Sequence, residues 1–203
     1  MTNKLHFMKT SPSALLPILR TPAVGELLAR LFVHPQRGWA LKDLAAAAQV
    51  SLPTTTREVT RMVRSGLLAE KRVGRTRQVR PNTDSLLFPP LRRLLLLTYG
   101  PVPVLEEELS AVAGIERAVV YGSWAERHAG VEGNEPNDVD VLVVGQPDLD
   151  DLYDVAERAR QRLGRPVSIR NVSASRWNEP GSDPFLAGVT TGPLVTLGVG
   201  TER

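Results

Sequence analysis

Two short apolar runs separated by a polar break constrain this chain more than any other feature. Residues 118–121 read Ala-Val-Val-Tyr and lead into Gly122-Ser123, and residues 138–144 read Asp-Val-Asp-Val-Leu-Val-Val. Runs of this length, rich in β-branched residues and bounded by glycine, predict buried strands. One or two turns of helix over Trp124 to His128 and a polar loop over 130–137 join them. Side chains alternate along a strand, so Asp138 and Asp140 share a face and lie close enough to bind the same divalent cation or pair of cations. Two like charges ahead of Leu-Val-Val are costly unless a cation or donors meet them. Gly122 lets the backbone turn close to a phosphate. Ser123 opens the following helix, whose first N–H groups and dipole point outward.

The remainder of the chain frames this stretch. Its 203 residues suffice for one large or two small domains, and the absence of cysteine excludes disulfides, thiolate metal sites and a thiol nucleophile. Residues 1–10 lack the apolar run of a signal peptide, and Leu94 to Leu97 is far too short to cross a bilayer. The expectation is a cytoplasmic protein with no membrane partner. The net charge of +3 conceals an asymmetry: residues 1–100 carry a balance of +11 and residues 101–203 one of −8. A basic half followed by an acidic half predicts two domains with different partners, the first suited to a polyanion.

In the basic half, residues 1–20 form an arm, interrupted by Pro17. Thr21-Pro22 is a helix start, with Val24, Leu27, Leu28 and Leu31 at helical spacing and His34-Pro35 as its end. A short strand at 38–40 precedes a helix over 41–48 with Leu44, Ala45 and Ala48 inward. A tight link capped by Ser51 leads to a third helix over 52–65, with Val59, Met62 and Val63 inward and Gly66 as its stop. Two strands about Gly74-Arg75 then make a basic hairpin. On the third helix Thr54, Arg57, Arg61 and Arg64 recur at three- or four-residue spacing. Such a stripe alone is more often a solvated face; the turn, the hairpin and the +11 balance together point to nucleic acid.

This order of elements over residues 21–81 resembles a winged helix-turn-helix domain. The resemblance implies that the third helix enters the major groove of double-stranded DNA and the hairpin lies along the backbone or minor groove. Arg57 and Arg61 are then placed for guanine edges, Thr54 and Arg64 for phosphates, and Arg72, Arg75 and Arg77 for the wing. Residues 82–101 read as a linker closed by Pro89-Pro90 and then an apolar helix from Leu91. That helix needs cover from the neighbouring domain or from a second subunit, with a homodimer the expected state.

Residues 102–203 complete the pattern with a Glu-rich helix over 105–112 and a long helix over 148–163 whose buried side includes Leu149 and Leu152. A third strand over 166–172, a turn at 175–177 and an apolar tail follow. A Gly-Ser turn, a helix and an Asp-x-Asp strand in this order resemble the nucleotidyltransferase superfamily that includes DNA polymerase beta and the minimal nucleotidyltransferases. The resemblance concentrates in Gly122, Ser123, Asp138 and Asp140. It implies that Gly122 and Ser123 hold a nucleoside triphosphate, and that Asp138 and Asp140 bind magnesium and are the catalytic carboxylates. One departure matters: active members usually carry a third carboxylate on a later strand, whereas 166–172 reads Pro-Val-Ser-Ile-Arg-Asn-Val. The expected protein is therefore of the α+β class, a winged helix-turn-helix domain followed by a small mixed α/β nucleotidyltransferase-like domain. Its expected role is that of a transcriptional regulator whose second domain binds nucleotide and magnesium. The alternatives are a transferase acting on a protein, RNA or small-molecule hydroxyl, as in antitoxins with a protein acceptor, and a catalytically dead scaffold for dimerisation.

Overall fold

A computed structural model describes residues 19–179, 181 and 183–200. The expected arm of residues 1–20 therefore lies, up to residue 18, outside the described residues. The protein is of mixed α+β type and divides into two compact units, the second beginning at Val104.

The first unit begins with α1 (Pro22–Val33), started as its sequence predicts: the Thr21 hydroxyl accepts from the Val24 N–H, and Pro22 fills the first turn, where its missing donor costs nothing. A two-residue strand β1 (Trp39–Ala40) leads into α2 (Leu41–Ala47). Ser51 then caps α3 (Leu52–Arg64) by accepting from Thr54 N–H. The helix ends at Ser65, and Gly66, at φ +76, turns the chain into the hairpin of β2 (Leu68–Val73) and β3 (Thr76–Pro81). β3 is central in an antiparallel sheet, paired with β1 on one side and β2 on the other. Leu27, Leu31, Phe32, Leu44, Val59 and Leu95 fill one core at no more than 1% exposure. Burial of each stabilises the fold by about 1.5–3 kcal/mol.

The linker expected at Pro89-Pro90 is instead the first turn of α4 (Phe88–Tyr99). Proline is tolerated there for the same reason as at Pro22, and Phe88 stacks on Phe32 at 5.6 Å to anchor the helix to α1. Leu95 and Tyr99 enter the core, while Leu97 stays exposed.

The Glu-rich helix is α5 (Pro101–Leu109), starting and ending earlier than its sequence suggests. In the second unit β4 (Ile115–Tyr121), α6 (Gly122–His128), β5 (Val139–Gly145), α7 (Leu149–Leu163) and β6 (Val167–Val172) follow. A short α8 (Ala174–Asn178) replaces the expected turn. The tail forms α9 (Pro184–Thr191), capped by Asp183, and β7 (Val195–Thr196). The sheet order is β6-β5-β4-β7, with β5 and β6 parallel and the other pairings antiparallel. Val119, Leu142 and Val144 pack with Leu186 and Val189 of α9 on one face. α7 packs along β6, burying Leu152, Val155, Ala159 and Leu163. Leu149 lies against expectation on the surface, 67% exposed, because the helix begins at that residue and its first turn, with Asp150 and Asp151, faces water.

Candidate functional site

Strand β5 is buried apart from one acid: Val139, Val141, Leu142, Val143 and Val144 are each at most 2% exposed. Asp138 lies immediately before the strand and Asp140 is its second residue; both are half-buried. The register sets Asp140 opposite Tyr121 on β4 and Ser168 on β6, and Leu142 opposite Arg170. These side chains therefore share one face of the sheet. Neither carboxylate has a hydrogen-bond or ion-pair partner among the described residues. Burial pushes the Asp140 carboxyl up and the Asp138 charge pushes it further; Arg170 offsets part of this, and the balance stays above the ordinary value. Burial likewise raises the Tyr121 hydroxyl, with Asp140 adding to it. Gly122 turns the chain at φ +70 beside Asp140, and Ser123 is exposed in the first turn of α6. The structure thus brings Gly122, Asp138 and Asp140 to one place, with Ser123 next in the chain.

The neighbouring strand adds no acid. Ser168 is exposed opposite Asp140, and the Arg170 guanidinium lies 4.7 Å over the Phe185 ring, which meets Tyr121 edge-on at 5.8 Å. Among the described residues no group of three or more His, Asp or Glu side chains is placed to hold a metal. Two unpartnered carboxylates beside a glycine turn fit a single divalent cation that keeps most of its water, with a phosphate completing its shell.

Asp138 is presented by a loop that is pinned from below. Arg165, 5% exposed, donates from Nη1 to the Pro136 carbonyl at 2.9 Å, and the Val139 N–H donates to the Pro166 carbonyl at 3.0 Å. Nothing in the spacing of residues 130–166 singled out Arg165. Trp124 is a packing residue, buried and stacked on His128 at 5.0 Å.

In the first unit Arg57, Arg61 and Arg64 are exposed on α3 and border a shallow groove with Pro53, Thr56 and Thr60. Thr54 is half-buried, and its hydroxyl accepts from the Ser51 hydroxyl at 3.0 Å, so it serves the helix cap. Arg72 and Arg75 are exposed on the hairpin. Arg77 pairs with Glu70 at 2.6 Å and donates to the Thr60 hydroxyl at 3.3 Å, tying the hairpin to α3. Glu58 is a residue the basic stripe concealed. It is 7% exposed and accepts from both Arg57 and Arg61.

No family model matches the chain, and neither a curated protein nor a solved structure matches it. No helix among the described residues is long and apolar enough to cross a membrane.

Proposed function

We propose that this protein is a DNA-binding transcriptional regulator. Its first unit acts as a winged helix-turn-helix reader and its second as a nucleotidyltransferase-fold domain that binds a magnesium–nucleotide as a sensed ligand. The observation that carries the second half is the pair Asp138 and Asp140. Like charges on one half-buried face, without a donor among the described residues, destabilise the protein until a cation joins them. Magnesium bound there would neutralise phosphate charge; Asp138 and Asp140 hold it, and Gly122 with Ser123 lets the phosphates approach. Arg170 in place of a third acid favours binding over transfer, since no carboxylate stands ready on β6 to take a proton from an attacking hydroxyl. The first half rests on the exposed Arg57, Arg61 and Arg64 of α3 beside the Arg-rich hairpin. A homodimer is the state this reading expects, and the 49%-exposed Leu97 of α4 with the exposed Leu86 and Leu87 supports it.

Thermal melts with magnesium and each nucleoside triphosphate test the second half. Wild-type protein is expected to melt higher, and Asp138→Asn/Asp140→Asn protein not to respond. No shift with any triphosphate would leave the scaffold reading. Transfer of label from a triphosphate to a component of cell extract, abolished in the double variant, would establish the transferase instead.

A further inference from the structure

A carboxylate in the middle of an arginine-rich helix face is out of place unless the arginines depend on it. Glu58 is that carboxylate. Its side chain is 9% exposed, while those of Arg57 and Arg61 on either side are 59% and 53% exposed. Arg57 donates from Nε to Glu58 Oε1 at 3.1 Å. Arg61 donates from Nη1 to Oε1 at 3.3 Å and to Oε2 at 3.4 Å. One buried carboxylate thus bonds both guanidinium groups, and the three side chains restrain one another.

The donor count decides what this arrangement can do. A guanidinium has five N–H donors in a fixed fork, and recognition of guanine O6 and N7 takes two parallel ones. Arg57, engaged through Nε, keeps its Nη1–Nη2 end. Arg61, engaged through Nη1, keeps its Nε–Nη2 edge. Each therefore retains a bidentate face after satisfying Glu58. The residues are four apart on α3, a rise of about 6 Å, which spans roughly two base steps of about 3.4 Å each.

We infer that Glu58 is a positioning residue that presents Arg57 and Arg61 as a preset pair of guanine readers, directed at two guanines within two base steps. The inference rests on the DNA-binding reading above. Without Glu58 both arginines would be mobile chains, equally suited to any phosphate. Fixing them beforehand removes the ordering cost from the binding step and ties affinity to base identity. The carboxylate itself opposes nearby phosphates, which lowers binding to arbitrary sequence and so widens the difference between right and wrong sites. Burial raises the Glu58 carboxyl, but the hydrogen bond from Arg57 and the charges of Arg61, Arg57 and Arg20 outweigh it, so the group stays ionised at neutral pH.

The test selects duplexes from a randomised pool with the wild-type protein. It then compares the selected duplex with a scrambled one for wild-type and Glu58→Gln proteins. The expected result is a selected site containing two nearby guanines and a specificity ratio that falls about tenfold or more in Glu58→Gln. Binding of the scrambled duplex is expected to be retained or tightened. Parallel changes on both duplexes in a folded variant, or none, would overturn the inference. Should Glu58→Gln not fold, the free wild-type protein still decides: a slowly exchanging Arg57 Nε–H resonance is expected, and a freely exchanging one overturns the clamp. A wild-type protein that enriches no duplex overturns the regulator reading itself.

Discussion

Gly122 and Asp140 are packed so closely that a β-carbon on the glycine would stand 3.2 Å from Oδ2 of the aspartate. Gly122 also holds φ +70, a backbone conformation that L side chains rarely adopt. The turn that ends β4 and the carboxylate on β5 therefore share one small space. Any side chain at 122 would intrude where a phosphate and a cation are proposed to meet.

Gly122→Ala is expected to lower stability by about 1–2 kcal/mol from backbone strain and to weaken the magnesium–nucleotide response further. Gly130→Ala is the control: it has φ +88 with open space around it, so it carries the strain alone. Equal nucleotide responses in the two variants would show that the approach to Asp140 is of no consequence.

Asp140→Asn is expected to raise the melting temperature of the metal-free protein at neutral pH while removing its response to magnesium. The sign follows from the raised carboxyl. Below the ordinary carboxylate range the group is protonated in both folded and unfolded chains and contributes nothing. As pH rises through the folded value, the ionised form meets burial and the Asp138 charge, and stability falls. The advantage of the asparagine variant, followed by melts from roughly pH 3 to 8, is expected to grow with pH.

The basic side chains of the first unit are expected to separate into three groups in salt titrations of duplex binding. Arg57→Ala with Arg61→Ala removes sequence preference. Arg72→Ala with Arg75→Ala weakens every duplex alike and makes the salt slope shallower by about 0.9 for each phosphate left without its arginine. Arg77→Ala acts through the hairpin, because its guanidinium is already bound to Glu70 and Thr60. It is expected to lower stability as well as affinity.

Glu108 joins α5 to α7 through Arg158 at 2.7 Å and Arg162 at 2.8 Å, with its own side chain 12% exposed. Glu108→Gln is expected to destabilise the second unit by about 1–2 kcal/mol, less than a fully buried pair because Arg158 is half in water. Burial raises the Glu108 carboxyl, but the hydrogen bonds from Arg158 and Arg162 outweigh it and hold it below its ordinary value. Its contribution is thus complete above the ordinary value of 4.5 and lost as pH falls below it. Urea titrations at neutral and acid pH are expected to show the wild-type advantage shrinking in acid.

Much of the local structure was legible because it rests on neighbours in the chain. Thr21-Pro22, Ser51 and Gly66 mark helix ends through hydrogen bonds and backbone angles a few residues long. The strands around Gly122 and Asp140 announce themselves by continuous apolar runs, as strands covered on both faces must. Pro89-Pro90 misled because the same dipeptide suits a linker and a helix's first turn, and the choice depends on Phe88 finding Phe32. Leu149 misled because helical period alone does not say where the core stops.

By itself, then, the sequence determined that two unlike halves exist, that Asp140 lies on a buried strand with Asp138 just ahead of it, and that β6 brings them no third acid. Tertiary structure alone decided the partnerships. It placed Arg170 over Phe185, put Arg165 under the loop that carries Asp138, committed Arg77 to Glu70, and sank Glu58 between two exposed arginines. Hydrogen bonding and burial within a helix or strand are periodic and can be read along the chain. The reach of a guanidinium to a carboxylate, a carbonyl or a ring depends on how elements pack, and that is set only when the core closes.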